Sequence, residues 1–220
     1  MLCLLALGRN APASAADRLV DPCAAALPAG RVHVRAQPAE PQVSYARGAR
    51  EILDLAGVRH GAAALGLTTT RVALSMDVVL HRALSRDGTI RCARAQLDLV
   101  LSHASMEVLL AREIEHDGCV SALVLEHEMT HVRIERETLT RTAESLSAQM
   151  QAYYRNAVFA GDDAQVMATL EREFDQRWAG ALDGLLRASD ARHAEHDLRD
   201  SYGDQSACRG ELMRIARSVH

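Results

Sequence analysis

From Cys119 to Val158 the chain contains neither proline nor glycine. Both disrupt helices, by about 3 and about 1 kcal/mol relative to alanine. Across the same stretch Val120, Leu123, Val124, Ile134, Leu146 and Met150 recur at roughly helical spacing. The segment therefore reads as one long helix, or two joined by a kink, and the rest of the chain has to pack around it.

The residues before it carry a different periodicity. Thr70, Val72, Leu74, Met76, Val78 and Leu80 alternate with Arg71, Ser75, Asp77 and His81, the pattern of a half-buried strand. Arg86-Asp87-Gly88-Thr89 reads as a hairpin turn, with a return strand from Ile90. Leu97, Leu99 and Leu101 alternate again, and Met106, Val108 and Leu110 suggest one more strand. Earlier still, Val32 to Ala36 and then Val43 and Tyr45 read as short strands separated by Pro38 and Pro41, and residues 49–55 as a short helix. Gly57, Gly61 and Gly66 interrupt the stretch between that helix and the long alternating run.

After Gly161-Asp162-Asp163, a turn with a helix-capping signal, a second helical stretch runs from about Ala164 to the Asp200 region. Its stripe is Met167, Leu170, Phe174, Trp178, Leu182 and Leu185, with Gly180 and Gly184 as points where it can break. Strands first and two long helices after them predict a single α+β domain over residues 17–220. Its expected architecture is a small, mostly antiparallel sheet followed by the helices.

Residues 1–16 read as a secretory signal, on the apolar run Leu2 to Leu7 and the small-residue site Ala13-Ser14-Ala15-Ala16. The basic start of such a signal is missing. Cys3 falls inside it, which leaves Cys23, Cys92, Cys119 and Cys208. An even number in an exported chain predicts two disulfides, with three connectivities open. The expected location is periplasmic or extracellular. No apolar run is long enough to span a bilayer. A net charge of −4, with arginines spread along the chain, gives no electrostatic case for nucleic acid.

The long helix carries His127-Glu128-Met129-Thr130-His131. Residues four apart share a helix face, so His127 and His131 aim at one point and can bind one zinc ion. Glu128, rotated round the helix, is placed as general base toward a water that the ion activates. Zinc needs a third protein ligand. Glu135 continues the four-residue series but lies about 12 Å along the axis from His127 at 1.5 Å per residue. It is expected to contact a ligand, or pair with arginines, rather than reach the ion. On the second helix His193, His196 and Asp200 continue the phase of the apolar stripe, and Asp197 lies near its edge.

Two segments resemble an exported bacterial family of predicted zinc proteases, the "domain of unknown function" family 922. One is Gly118 to Glu135, GCVSALVLEHEMTHVRIE. The other is His196 to Gly203, HDLRDSYG, which is similar to that family's YDxxTxHG. The resemblance implies a zincin-like fold, with His127 and His131 as ligands, Glu128 as base and Asp197 as the matching aspartate. This chain departs from the pattern at Tyr202 in place of His, Asp200 in place of Thr and His196 in place of Tyr. With the family histidine replaced, the resemblance favours Asp197 as third ligand and Tyr202 as hydrogen-bond donor to a tetrahedral intermediate. His193 or His196, which helical phase prefers, remain the alternatives.

The function expected from these readings is zinc-dependent hydrolysis of amide bonds in a peptide or protein. An exported metal-binding protein acting as an envelope scaffold, and a zinc hydrolase of another amide or acyl bond, are the rivals. An intact Glu128 favours an enzyme, because a scaffold has no use for a general base.

Overall fold

Val32 and Val34 are the buried positions of β1 (Arg31–Gln37), which ends where Pro38 cannot donate to a ladder. β2 (Gln42–Arg47) begins just past Pro41. Both lie parallel along the same edge of a later strand, β4 (Arg91–Ala111), and in the same register: Gln37 faces Ser102 and Gln42 faces Glu107. They are one line of extended chain that two prolines divide. The computed structural model in which this is seen describes residues 23, 25–57, 64–85, 88, 91–199 and 207–218. The expected signal segment 1–16, Cys3, Asp200 and Tyr202 lie outside the described residues.

After β2, helix α1 (Ala49–Ala56) carries the chain across, with Glu51 bonding back to the Gly48 amide at its start. β3 (Gly66–Leu84) then pairs antiparallel with β4 along its whole length. β4 is thus the central strand, with β3 on one edge and β1, β2 and the two-residue β5 (Phe159–Ala160) on the other. The chain is α+β, but the sheet is not the small, mostly antiparallel one expected. Its hairpin strands are 19 and 21 residues long, and β1 and β2 run parallel to β4. The parallel direction escapes a reading of alternation, because a strand's inside/outside pattern is the same in either direction.

β4 also replaces what reads as three strands. Its alternating buried positions are odd-numbered from Ala93 to His103, then even-numbered at Met106, Val108 and Leu110, with Cys92, Leu109 and Ala111 buried besides. The register against β3 slips at this point: Val72 faces His103 and Arg71 faces Ser105, leaving Ala104 as the extra residue of a bulge. One inserted residue reverses the side each later side chain faces. The strand continues and only its phase changes.

The proline-free stretch forms one unbroken helix, α2 (Gly118–Tyr154), capped by the Asp117 side chain, which accepts from the Cys119 and Val120 amides. Helix α3 (Asp163–Glu173) leads through a π-helical turn (Phe174–Trp178) into α4 (Ala179–Arg199). The irregularity falls there rather than at Gly180 or Gly184, which lie inside α4. α5 (Glu211–Ser218) closes the described chain.

Two apolar clusters lie between sheet and helices. One joins Leu97, Leu99 and Leu101 of β4 to Leu139, Leu146 and Met150 of α2 and to Leu170, Trp178 and Leu185. The other joins Met106, Val108 and Leu110 to Val120, Val124 and Val132 and to Leu212 and Ile215 of α5. Both expected disulfides form, as Cys23–Cys92 and Cys119–Cys208. The second pins the chain before α5 to the first turn of α2. No helix among the described residues is long and apolar enough to cross a membrane.

Candidate metal centre

His127, Glu128 and His131 are buried on α2 at the seam between the two apolar clusters, with 7%, 3% and 8% of their surface exposed. Four-residue spacing brings the two imidazoles together, Nε2 to Nε2 at 3.1 Å. Facing them, α4 presents its own four-residue series of Ser189, His193 and Asp197. The two helices run antiparallel, so the series meet in order. Asp197 lies at His127 and His131, His193 at His131 and Glu135, and Ser189 at Glu135. Arg192 holds this pairing in place. Its guanidinium donates to Thr138 Oγ1 at 2.9 Å, to the Ile134 carbonyl at 3.3 Å and to Glu137 at 2.7 Å.

Asp197 Oδ1 lies 3.3 Å from His127 Nε2 and 3.0 Å from His131 Nε2. Three donors on a tetrahedral ion at about 2.0–2.2 Å would stand about 3.3–3.6 Å apart, so this triangle is close to the size required. His196 joins the same group, each of His127, His131 and His196 bringing a nitrogen within 4.8 Å of the others. The His196 ring stacks on His127 at 4.6 Å between centroids, and its Nε2 is buried with no hydrogen-bond partner among the described residues. A cluster of buried imidazole nitrogens converging on a carboxylate fits a metal ion well. Imidazole and carboxylate donors together suit zinc among the divalent ions.

Burial lowers the pKa of His131 to about 4, against the opposing pull of Asp197. The ring is therefore neutral, as a ligand must be. Glu128 stands outside the triangle. Burial raises its carboxyl to about 7, although Thr68 Oγ1 donates to its Oε2 at 2.8 Å. The other oxygen, Oε1, lies over Gly66 at the start of β3. A Cβ on that glycine would stand 2.5 Å from Oε1, 2.7 Å from Glu128 Cγ and 2.8 Å from Val124. Only a residue without a side chain lets the strand approach the Glu128 carboxyl so closely.

Glu135 is not in the triangle, in keeping with its distance along the helix. Its carboxylate accepts from His193 Nε2 at 2.6 Å and from Ser189 Oγ at 2.6 Å. Burial pushes its pKa up, but these bonds and the nearby imidazoles outweigh it and hold the group below its ordinary value. His103, just before the bulge of β4, is buried with its Nε2 3.8 Å from Glu135 Oε2. Burial, with Arg136, lowers its pKa against the pull of Glu135.

The structure places the side chains of His127, His131, Glu128 and Asp197 close together, with His193 and His196 beside them. Asp200 and Tyr202 lie outside the described residues. Sequence reasoning missed Gly66 and Thr68. Gly66 reads there as an ordinary breaker, and its place at the head of the clearest alternating run was the only signal of a strand reaching the motif. Comparison with protein-family models, with curated proteins and with solved structures finds no match for this chain.

Proposed function

We propose that this chain is an exported zinc-dependent hydrolase of amide bonds in peptides, of the kind its resemblance to the predicted zinc proteases implies. The observation that carries the reading is the triangle of His127 Nε2, His131 Nε2 and Asp197 Oδ1 with Glu128 buried beside it. Asp197 is the third ligand in this reading, since its oxygen faces both imidazole nitrogens while the His196 ring lies stacked against His127. Zinc held by these three side chains supplies Lewis acidity, lowering the pKa of water toward about 7 and polarising a carbonyl.

The rest is done by the chain's own groups. Thr68 ties down Oε2 of Glu128 and leaves Oε1, over Gly66, to take a proton from water and pass it to the departing amine. Asp197, half exposed, opens this side of the site to solvent and so to substrate. Among the described residues β3 pairs on one edge only. Its first residues, beside Glu128, present an edge with no second described strand on it, to which an extended peptide adds by main-chain hydrogen bonds. The two disulfides suit an oxidising, extracytoplasmic location.

The test is metal content followed by peptide cleavage. The purified protein is expected to hold about one zinc per chain, with His127→Ala and His131→Ala losing it. Glu128→Gln is expected to keep zinc and lose cleavage of a peptide library. A wild type without metal, or a Glu128→Gln variant that cleaves as fast as wild type, would overturn the reading.

A further inference from the structure

The pairing of α2 with α4 goes one step past the triangle, into a chain of hydrogen bonds that runs away from it. His131 has two ring nitrogens. Nε2 faces His127 and Asp197, and Nδ1 lies 2.6 Å from Nδ1 of His193. On the far side of that second ring, His193 Nε2 lies 2.6 Å from Glu135 Oε1. The chemistry at the end of this line decides where its protons sit. A carboxylate has lone pairs and no proton, and Glu135, 12% exposed, also accepts from Ser189. His193 must therefore carry its proton on Nε2.

A neutral imidazole protonated at Nε2 has its lone pair on Nδ1. With His193 neutral, the contact between the two Nδ1 atoms has His131 as its donor. With its proton on Nδ1, His131 turns a bare Nε2 lone pair toward His127 and Asp197. The other end of the line gives the same result. A ligating Nε2 needs the proton on Nδ1, that proton needs an acceptor, and His193 can accept only if its own proton is held elsewhere.

We propose that Glu135 and His193 form a two-step relay that fixes the tautomer and ring plane of His131 for the metal, neither residue touching the ion. The relay rests on the reading of the triangle as a metal centre. It gives Glu135 a role that its place four residues after His131 suggests and its distance from His127 denies it as a ligand. The relay consists of positioning residues, and metal-ligating histidines held in this way typically lose 10–100-fold in metal affinity when the partner is removed.

The experiment uses the full-length, disulfide-bonded protein, stripped with a chelator and titrated with zinc in competition with a chromophoric chelator. Cobalt(II) absorption reads the ligand geometry independently. His193→Leu fills the space without a nitrogen and is expected to weaken zinc binding about 10–100-fold. His193→Asn places an amide oxygen near the position of Nδ1 and is expected to recover most of that loss, which a packing role would not produce. Glu135→Leu is expected to weaken binding as well, and to add little in the His193→Leu background, because the carboxylate acts through that ring. Circular dichroism of the metal-free variants checks that each is folded; if a leucine variant does not fold, His193→Asn and His193→Gln carry the comparison, and equal affinity of Asn, Gln and wild type overturns the relay. Zinc affinity of His193→Leu within twofold of wild type would also overturn it, as would equal losses in the Leu and Asn variants. A wild type that binds no zinc, or a His131→Ala variant that binds it normally, would instead overturn the metal centre, and the relay with it.

Discussion

Replacing Gly66 with alanine adds one methyl group at the point where β3 meets the proposed base. The new Cβ would stand 2.5 Å from Glu128 Oε1 and 2.8 Å from Val124 Cγ1. Carbon contacts are comfortable from about 3.5 Å, so the side chain of Glu128 has to withdraw by about 1 Å. Overpacking of this kind costs about 1–3 kcal/mol of stability. The catalytic cost is the more diagnostic. A displacement of about 1 Å in a reacting group costs on the order of 100-fold in rate, or about 2.7 kcal/mol of barrier. The three atoms nearest the new Cβ belong to Glu128 and Val124 and not to the histidines or Asp197, so zinc content should remain that of wild type. The assay is kcat/KM on a cleaved peptide, with zinc content and thermal unfolding measured on the same preparation. A Gly66→Ala protein that is folded, loaded with zinc and as fast as wild type would refute the placement of Glu128 as base.

Asp197→Ala should lower zinc affinity further than His196→Ala, measured by chelator competition; the reverse order would move the third ligand to His196. Mass mapping without reduction should find Cys23–Cys92 and Cys119–Cys208, and any other pairing would contradict the fold at the start of α2. Cys119→Ser with Cys208→Ser removes a cross-link over a separation of 89 residues. Loop entropy sets the loss at up to about 4–5 kcal/mol, readable as a lower denaturant midpoint. Zinc should raise the midpoint of thermal unfolding in wild type and leave that of His131→Ala unchanged, since a ligand stabilises only the state that binds it.

The features legible in the sequence are those whose signals are local. Helix α2, its HExxH face and the need for two disulfides each depend on spacing within one segment or on a simple count. The antiparallel meeting of the α2 and α4 ladders depends on two segments at once, and phase within α4 alone favoured His193 over Asp197. Both are in fact at the site, on opposite sides of His131. The sheet shows the same limit. Alternation revealed the strands, but the bulge at Ala104 reversed its phase and made β4 read as several pieces, and no periodicity encodes that β1 and β2 run parallel to it. Gly66 was visible as a glycine, while the carboxylate that requires it lies far along the chain.

The order in which the chain emerges during synthesis gives the divided strand on β4 a further consequence. β1 and β2 are made well before the strand they pair with: Arg31 waits for Gln96, and Gln42 for Glu107. Until then their backbone groups have no partner, and an extended segment with Val32, Val34 and Val43 is open to pairing with another unfinished chain. Pro38 and Pro41 cut that exposed length into two short pieces, each a poor template for intermolecular pairing. The interruption costs the finished sheet a few ladder bonds at one edge and protects the chain over the interval before the sheet exists.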